Sequence, residues 1–327
     1  MPGQTMLEAH WSLQDAAAGF PPSAVTIGNF DGVHAGHRKI LEVTRERARV
    51  LGCQSAVLLF DPHPMKIVAP KRAPQLLTSP AERLRRFAEL GMDAALVLSF
   101  TREVASLSPE DFVARVLVAK LSARAVVVGE NFRFGYRQRG DFALLAALGR
   151  EHGFEAHAVG AVSIGGSPVS STRVRDLLRQ GRVDLCRRLL RRPVSLQGPI
   201  VSGHGVGARL TVPTLNLHAE AEILPAHGVY VTETRDPRSG RGWPSVTNIG
   251  SRPTFDGHGV HVETHLLSGL EGEDPKRIEL LFYRRLREEK KFESPEQLRR
   301  QILADAGQAE RFFRRLRAAG GQQIRVP

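Results

Sequence analysis

The sequence predicts an α/β chain in two parts: a parallel sheet covered by helices on both faces, then a small β-rich domain, barrel or sandwich, closed by a C-terminal helix. Three observations predict it. The 327 residues are about twice the usual ~150 of one domain. From Ser23 onward, helix-like segments alternate with strands that are apolar without interruption, the mark of a parallel sheet buried on both sides. At Arg192-Pro193 the alternation gives way to short β-rich runs between Gly, Pro and Asp turns.

In the first part, Ala24 to Gly28 reads as a short buried strand, and Gly36 to Leu51 has helical periodicity with an Arg/Glu-rich outer face. Ser55 to Phe60 is a strand, Pro80 to Leu90 a helix, Ala94 to Phe100 a strand, Ser108 to Leu121 a helix and Arg124 to Glu130 a strand. Asp141 to His152 reads as a helix, Ala156 to Val162 as a short strand, and Ser170 to Gln180 and Asp184 to Arg191 as two more helices. Beyond Val194 the β-rich runs are Gly228 to Glu233, Ser245 to Ile249, Val260 to Leu267 and Arg277 to Phe282, followed by a helix from Pro295 to Leu316. Ligands of such parallel sheets bind beyond the carboxyl ends of the strands, so the loops after Gly28, Phe60, Phe100 and Gly129 are the ones to read for function.

Composition narrows the class. Apolar residues are 42% and charged residues 24%, a globular balance that excludes a fibrous or disordered chain. No apolar run approaches the ~20 residues of a membrane span. Met1 to Ala17 carries no basic segment followed by an apolar block, so a cytoplasmic location is expected. Cys53 and Cys186 stand far apart and outside any Cys/His ligand spacing, which indicates neither a disulfide framework nor a zinc site. A net charge of +12 points to polyanionic partners, either nucleic acid or phosphate-rich small molecules.

Two constellations in the first part suit phosphate chemistry. Gly28-Asn29-Phe30-Asp31-Gly32-Val33-His34-Ala35-Gly36-His37 lies between a strand and a helix, so two histidines three apart aim imidazole donors at a phosphate that also meets the helix's free N–H groups. Attack at an α-phosphate needs charge stabilisation and in-line positioning more than a strong base, because the attacking phosphate is already ionised. Two surface histidines after a turn, or a zinc pair, are the other readings of that spacing. Val169-Ser170-Ser171-Thr172-Arg173-Val174-Arg175 opens a helix with hydroxyls and carries two arginines, fit for phosphate oxygens or for ordinary capping.

The runs GNFDGVHAGH, FDPHP (Phe60 to Pro64), VVVGENFRFG (Val126 to Gly135) and SSTRVR together resemble the FMN adenylyltransferase half of prokaryotic bifunctional riboflavin kinase/FAD synthetases, over roughly Pro22 to Leu190. The resemblance implies a Rossmann-like nucleotidyltransferase domain over residues 1–190. In it His34 and His37 act on the triphosphate, Gly28, Asn29, Asp31 and Asn131 line the ATP site, Asp61 the flavin, and Ser171, Thr172 and Arg175 hold phosphates.

The second part continues the match. Gly203-His204-Gly205-Val206-Gly207, Val212-Pro213-Thr214-Leu215-Asn216, Asn248-Ile249-Gly250-Ser251-Arg252-Pro253-Thr254-Phe255 and Val262-Glu263-Thr264-His265-Leu266 are similar to the flavokinase module of that family. This implies a small antiparallel β-barrel with a C-terminal helix over 191–327. Gly203, Gly205 and Gly207 then let backbone N–H groups approach phosphates, and Thr214 and Asn216 complete a Mg²⁺ shell around ATP. Glu263 becomes the base that takes the ribityl hydroxyl proton. Leu286 to Phe292 resembles a flap over the flavin, with Arg287 and Phe292 as contacts. On spacing alone, the alternating His261, Glu263 and His265 share one face of a strand and also suit a metal, and the glycine loop also reads as a bare turn. The chain departs from the family at Ala208 and Thr211, where Arg and Gly are common, and lacks the usual acidic residue after Leu267.

The expected activity is therefore phosphorylation of riboflavin to FMN in the second part and adenylylation of FMN to FAD, with pyrophosphate released, in the first. Mg²⁺ is the expected cofactor, ATP the co-substrate, riboflavin, FMN and FAD the partners, with no nucleic acid and no membrane. A single-activity FAD synthetase with a flavin-binding second module is the nearest alternative. An RNA-binding protein using Arg187, Arg188, Arg191 and Arg192 is the more distant one, without RNP, KH or zinc-knuckle signature and with 6% aromatic residues for stacking.

Overall fold

The computed structural model describes residues 7–10, 20–201, 214–254, 257–270 and 275–319, leaving aside the side chains of 9, 10 and 252–259. The chain divides into two compact units, Met1–Ser171 and Thr172–Pro327.

The first unit is built on strands β1 (Glu8–His10), β2 (Ser23–Ile27), β3 (Gln54–Asp61), β4 (Ala94–Ser99), β5 (Ala123–Gly129) and β6 (Glu155–Val159), in the order β1-β4-β3-β2-β5-β6. Every neighbouring pair is parallel. Helices α1 (Ala35–Leu51), α2 (Pro64–Val68), α3 (Pro80–Glu89), α4 (Arg102–Ser106), α5 (Pro109–Phe112) and α6 (Phe142–His152) supply the crossovers. Alternate residues of one strand serve opposite cores, as the two-residue period of a strand requires. Leu58 and Leu96 join Phe112, Leu117 and Leu145 in one core, while Val57, Leu59, Ala95 and Val97 join Leu41, Leu84 and Phe87 in the other. This two-sided burial is why the strands read as unbroken apolar runs. The strand order diverges between β2 and β5, so a crevice opens at their carboxyl ends, where this topology binds ligands.

The expected helix from Ser108 to Leu121 is instead a four-residue α5 running into a π-helical turn, Val113–Val118. Edge strand β1 was not expected from the sequence; its three residues are too few to show a pattern. A small hairpin, β7 (Ser163–Ile164) with β8 (Ser167–Pro168), precedes the end of the unit.

The second unit comprises α7 (Ser171–Arg179, whose first residue is grouped with the first unit), α8 (Val183–Leu190), β9 (Val194–Val201), β10 (Thr214–Leu217), β11 (Gly228–Arg235), β12 (Gly242–Thr254), β13 (Gly257–Leu266), β14 (Arg277–Arg287) and α9 (Pro295–Ala318). The strands close into an antiparallel barrel, β10-β13-β12-β11-β14-β9, which decides between barrel and sandwich. Its interior is polar as well as apolar. Thr232, Thr234, Ser245, Thr247 and Thr264 are wholly buried and satisfy one another through hydroxyl bonds of 2.7 to 3.2 Å, so none carries the penalty of an unpaired buried group. Compactness puts α7 and α8 with the barrel, whereas the sequence texture changes only after them; α8 buries Val183, Cys186, Leu189 and Leu190.

Ser294 caps α9 by accepting the Gln297 N–H at 3.2 Å, with Pro295 in the first turn. Phe313 then packs edge-on against Tyr283 of β14, ring centres 5.7 Å apart. Phe313→Ala is expected to destabilise the protein by about 3–5 kcal/mol, the usual result of emptying a buried aromatic site. Leu303→Ala, at a position 57% exposed on the same helix, should stay within about 0.5 kcal/mol; chemical denaturation of both variants checks the contrast.

Candidate active sites

Between β2 and α1 the chain makes a strained turn, with Phe30 at φ 47°, Gly32 at φ 80° and Val33 at φ 41°. For β-branched Val33 this left-handed conformation costs about 1–3 kcal/mol and persists only where neighbours hold it. The holding groups are visible. The buried Asp31 carboxylate accepts the Leu77 N–H at 2.9 Å and the Thr78 N–H at 3.1 Å, and Thr78 Oγ1 receives the Gly32 N–H at 2.9 Å. Ser171 Oγ donates to the Asp31 carbonyl at 2.9 Å. Arg83, wholly buried, donates to the Asn29 carbonyl at 2.6 Å.

The turn delivers His34 as the N-cap of α1. Its Nδ1 accepts the His37 N–H at 3.3 Å, so the neutral ring carries its proton on Nε2. The two imidazoles stack 3.6 Å apart at 15°. Gly36 makes room for this: a Cβ there would lie 3.2 Å from His34 Cε1. Burial, then the neighbouring His34 and Arg83, holds the His37 pKa well below its ordinary value, so His37 meets a ligand as a neutral ring.

His63, buried at the N-cap of α2, accepts the Met65 N–H on Nδ1 at 3.2 Å. On its other side, Nε2 faces the Asn29 carboxamide nitrogen at 3.1 Å. Asn29, Gly28 and His63 border a cleft of about 500 Å³ walled by Phe60, Phe100, Phe112, Phe132 and Phe134.

The sequence-derived residues fare differently here. His34 and His37 come together, and Gly28 and Asn29 border the aromatic cleft. Asp31 was expected at the ATP phosphates, but its carboxylate is turned into the protein to hold residues 77–78. Asp61 is half-buried at the end of β3, Asn131 is exposed, and neither borders the aromatic cleft. Ser171 bonds within the first unit; Thr172 and the buried Arg175 belong to the second. Sequence reading missed Arg83, which sits in a helix of ordinary charge pattern, and the role of His63, for which the FDPHP run was the available signal.

In the second unit, register assembles the site. Asn216 and Asn248 lie directly opposite Glu263 on the two strands flanking β13, and Thr214 opposite His265. Opposed residues and residues two apart share a face, so Thr214, Asn216, Asn248, Glu263 and His265 line one patch of barrel wall. Glu263, with 16% of its side chain exposed, meets His261 Nε2 at 3.2 Å. His265 contacts Thr214 Oγ1 at 2.9 Å; burial lowers its pKa, against the opposing pull of Glu263. Asn248, Glu263 and His265 border a cleft of about 440 Å³ whose far wall is Phe292 with Leu298 and Ile302 of α9.

Arg287, expected against flavin, spends its guanidinium on buried Asp305 of α9, at 2.8 and 3.0 Å, and lies 5.7 Å from the Phe292 ring centre. It fixes the cleft's rim to the helix. Gly203, Gly205 and Gly207, with Ala208 and Thr211, lie outside the described residues. Among the described residues no three His, Cys, Asp or Glu side chains gather as a metal site, and no helix is long and apolar enough to cross a membrane.

Comparison with known proteins bears on both sites. The family model described as FAD synthetase matches residues 18–173 and that of riboflavin kinase residues 190–313. The bifunctional riboflavin kinase/FMN adenylyltransferase of Pseudomonas fluorescens is 40% identical over 285 residues, 87% of this chain and 91% of the relative. The chain belongs to the bifunctional riboflavin kinase/FMN adenylyltransferase family. The member from Escherichia coli K12 is 36% identical over 289 residues, covering 88% of this chain and 92% of that one. A solved structure from Streptococcus pneumoniae, titled a macrolide-efflux protein, is similar with a TM-score of 0.83 and 26% identity, over 93% of this chain and 99% of that one. As a member of the family the chain phosphorylates riboflavin to FMN and adenylylates FMN to FAD, using ATP, with the FAD synthetase part N-terminal and the flavokinase part C-terminal.

The state of His37 has a measurable consequence. In the unfolded chain it titrates near the ordinary 6.5, in the fold well below. Below pH 6.5 the unfolded chain therefore takes up a proton that the folded chain refuses, and this contribution to stability is lost progressively as pH falls, whereas above 6.5 it is fully present. His37→Asn should lose less stability than the parent between about pH 7 and 5, read as denaturation midpoints; parallel curves would contradict the buried neutral ring.

Proposed function

We propose that the HxGH centre of the first unit performs the adenylyl transfer and that the Glu263 patch of the barrel performs the phosphorylation, within functional regions of residues 1–190 and 191–327. The observation that carries the first assignment is the stacked pair His34 and His37 at the N-terminus of α1, next to no acidic side chain in the helix's first turn. Imidazole Nε2–H of His34 and the free N–H groups of the helix offer hydrogen bonds to triphosphate oxygens without demanding a proton. FMN's phosphate attacks the α-phosphorus of ATP, its bond to the β-phosphate breaks, and pyrophosphate departs with the charge those donors stabilise. The aromatic cleft bordered by Gly28, Asn29 and His63 supplies flat apolar walls for an isoalloxazine ring. Asp31 and Arg83 act here as positioning residues of the turn.

For the kinase, Glu263 takes the proton of the ribityl hydroxyl as its oxygen attacks the γ-phosphorus and ADP leaves. Asn248, opposite Glu263, is placed to hold the hydroxyl, and Phe292 to cover the ring system in the cleft against α9. The donor set fits Mg²⁺: Thr214 and Asn216 bring neutral hard oxygens to the same face as Glu263, and this ion takes few protein ligands and several phosphate oxygens. Held there, Mg²⁺ would neutralise charge on the ATP phosphates. The reading implies a cytoplasmic location, where ATP is made available.

Replacing His34 and His37 together by Ala is expected to lower FAD formation from supplied FMN by at least about 10²–10³ while FMN formation from riboflavin stays near the parent level; unchanged FAD output overturns the assignment. Glu263→Gln should lower FMN formation by about 10²–10⁴ and leave the conversion of supplied FMN to FAD intact. Retained riboflavin phosphorylation in that variant removes Glu263 as the base.

A further inference from the structure

The second unit carries a groove of about 830 Å³ that shares no lining residue with the kinase cleft. Six arginines border it: Arg182, Arg187, Arg188 and Arg191 from α8 and its flanks, and Arg284 and Arg285 from the end of β14. Asp184 is the one acidic residue of the lining.

Several surface arginines elsewhere are neutralised by a nearby carboxylate. Arg49 pairs with Glu46, Arg115 with Asp111, Arg179 with Asp176, and Arg277 with Glu220, at 2.5 to 3.2 Å. The groove gathers arginines without such partners. Asp184 stands four residues before Arg188, the favourable helical spacing, yet it pairs with Arg182 at 3.6 Å. Arg285 reaches Glu288 at only 3.8 Å and donates to the His227 carbonyl. Among the described residues Arg187, Arg188, Arg191 and Arg284 have no carboxylate partner. Like charges so gathered repel one another, and an anion bridging them relieves that repulsion.

The arrangement is built and not merely crowded. The Arg187 guanidinium stacks 5.5 Å above the Tyr283 ring, and that ring is itself wedged against Phe312 and Phe313. Gly181, at φ 73°, passes so close to Arg285 that a Cβ would lie 2.8 Å from its Cδ, so the glycine leaves room for this side chain beside the groove. Guanidinium forks bind phosphate oxygens two at a time.

We propose that this groove is a binding site for a small polyphosphate, a compact anion with at least two linked phosphate groups, distinct from the sites of both reactions. Its volume suits a ligand of nucleotide size. Among the described residues it has only two aromatic rings, Tyr283 and Phe312, and Tyr283 is taken up by Arg187, Phe312 and Phe313, so a single-stranded nucleic acid, which needs successive stacking faces, is the less fitting occupant.

The test is calorimetric titration of the full chain with inorganic tripolyphosphate, comparing the parent with Arg188→Glu/Arg284→Glu and Arg188→Lys/Arg284→Lys. Both residues are exposed, neither belongs to a proposed reaction centre, and retained conversion of riboflavin to FAD certifies each variant as folded. The proposal expects a class of sites in the parent that weakens by about tenfold or more in the Glu variant, is partly kept in the Lys variant, and fades with rising salt. Superimposable titrations overturn it, since the reaction centres are common to all three proteins. Equal affinity for inorganic monophosphate overturns the requirement for linked phosphates, and tighter binding of a short oligouridylate through the same arginines overturns the small-molecule assignment.

Discussion

The hydrogen bond from the His37 backbone N–H to His34 Nδ1, 3.3 Å long, is the contact through which the first unit's architecture becomes chemistry. It caps α1, satisfying one of the helix's unpaired donors. It also uses up the lone pair of Nδ1, which leaves Nε2 as the proton-bearing atom. The bond requires His34 to arrive in extended conformation after a turn that carries Val33 at positive φ, and that turn stands because Asp31 is tied to residues 77–78 and Asn29 to Arg83. Thus a side chain expected to touch ATP and a wholly buried arginine of α3 act one step back, on the geometry of the donors. Burial then keeps His37 uncharged, so the centre offers hydrogen bonds aimed in advance without a competing proton on the ring.

The barrel reaches a comparable end by other means. No helix terminus is involved; the two-residue period of three neighbouring strands brings Thr214, Asn216, Asn248 and Glu263 to one face. The opposite face of the same strands holds Thr247 and Thr264 in the interior hydroxyl network. A slip of one residue in β13 would exchange Glu263 for Thr264 and bury a carboxylate among hydroxyls, so the interior network pins the register on which the outer patch depends. Arg287 joins this frame to α9 through Asp305, which sets the width of the cleft beside Glu263.

What was legible in the sequence follows from how local the cause is. The alternation of apolar strands and helices showed the parallel sheet, because burial on both faces writes itself into each strand separately. The spacing of His34 and His37 and the alternation around Glu263 were legible for the same reason, since one helical turn or one strand suffices to place them. The bonds of Asp31 were not legible because its partners stand 46 and 47 residues away, nor was the tie of Arg287, because Asp305 is 18 residues on. Arg83 gave no signal, since a buried arginine and a solvated one look alike in a helix that also carries Arg85 and Arg86. The division after Leu190 followed a change of composition, whereas compactness follows the apolar face of α8, which packs with the barrel.

The central claim, that the first reaction centre presents a His34 ring with Nδ1 occupied as acceptor beside an uncharged His37, is open to direct measurement. Nitrogen-15 resonances of the histidine side chains report protonation and tautomer atom by atom, with His34→Gln and His37→Asn variants supplying the assignments. At neutral pH the account expects His34 as the Nε2–H tautomer and His37 uncharged. An imidazolium at position 37, or a proton on Nδ1 of His34, would contradict it.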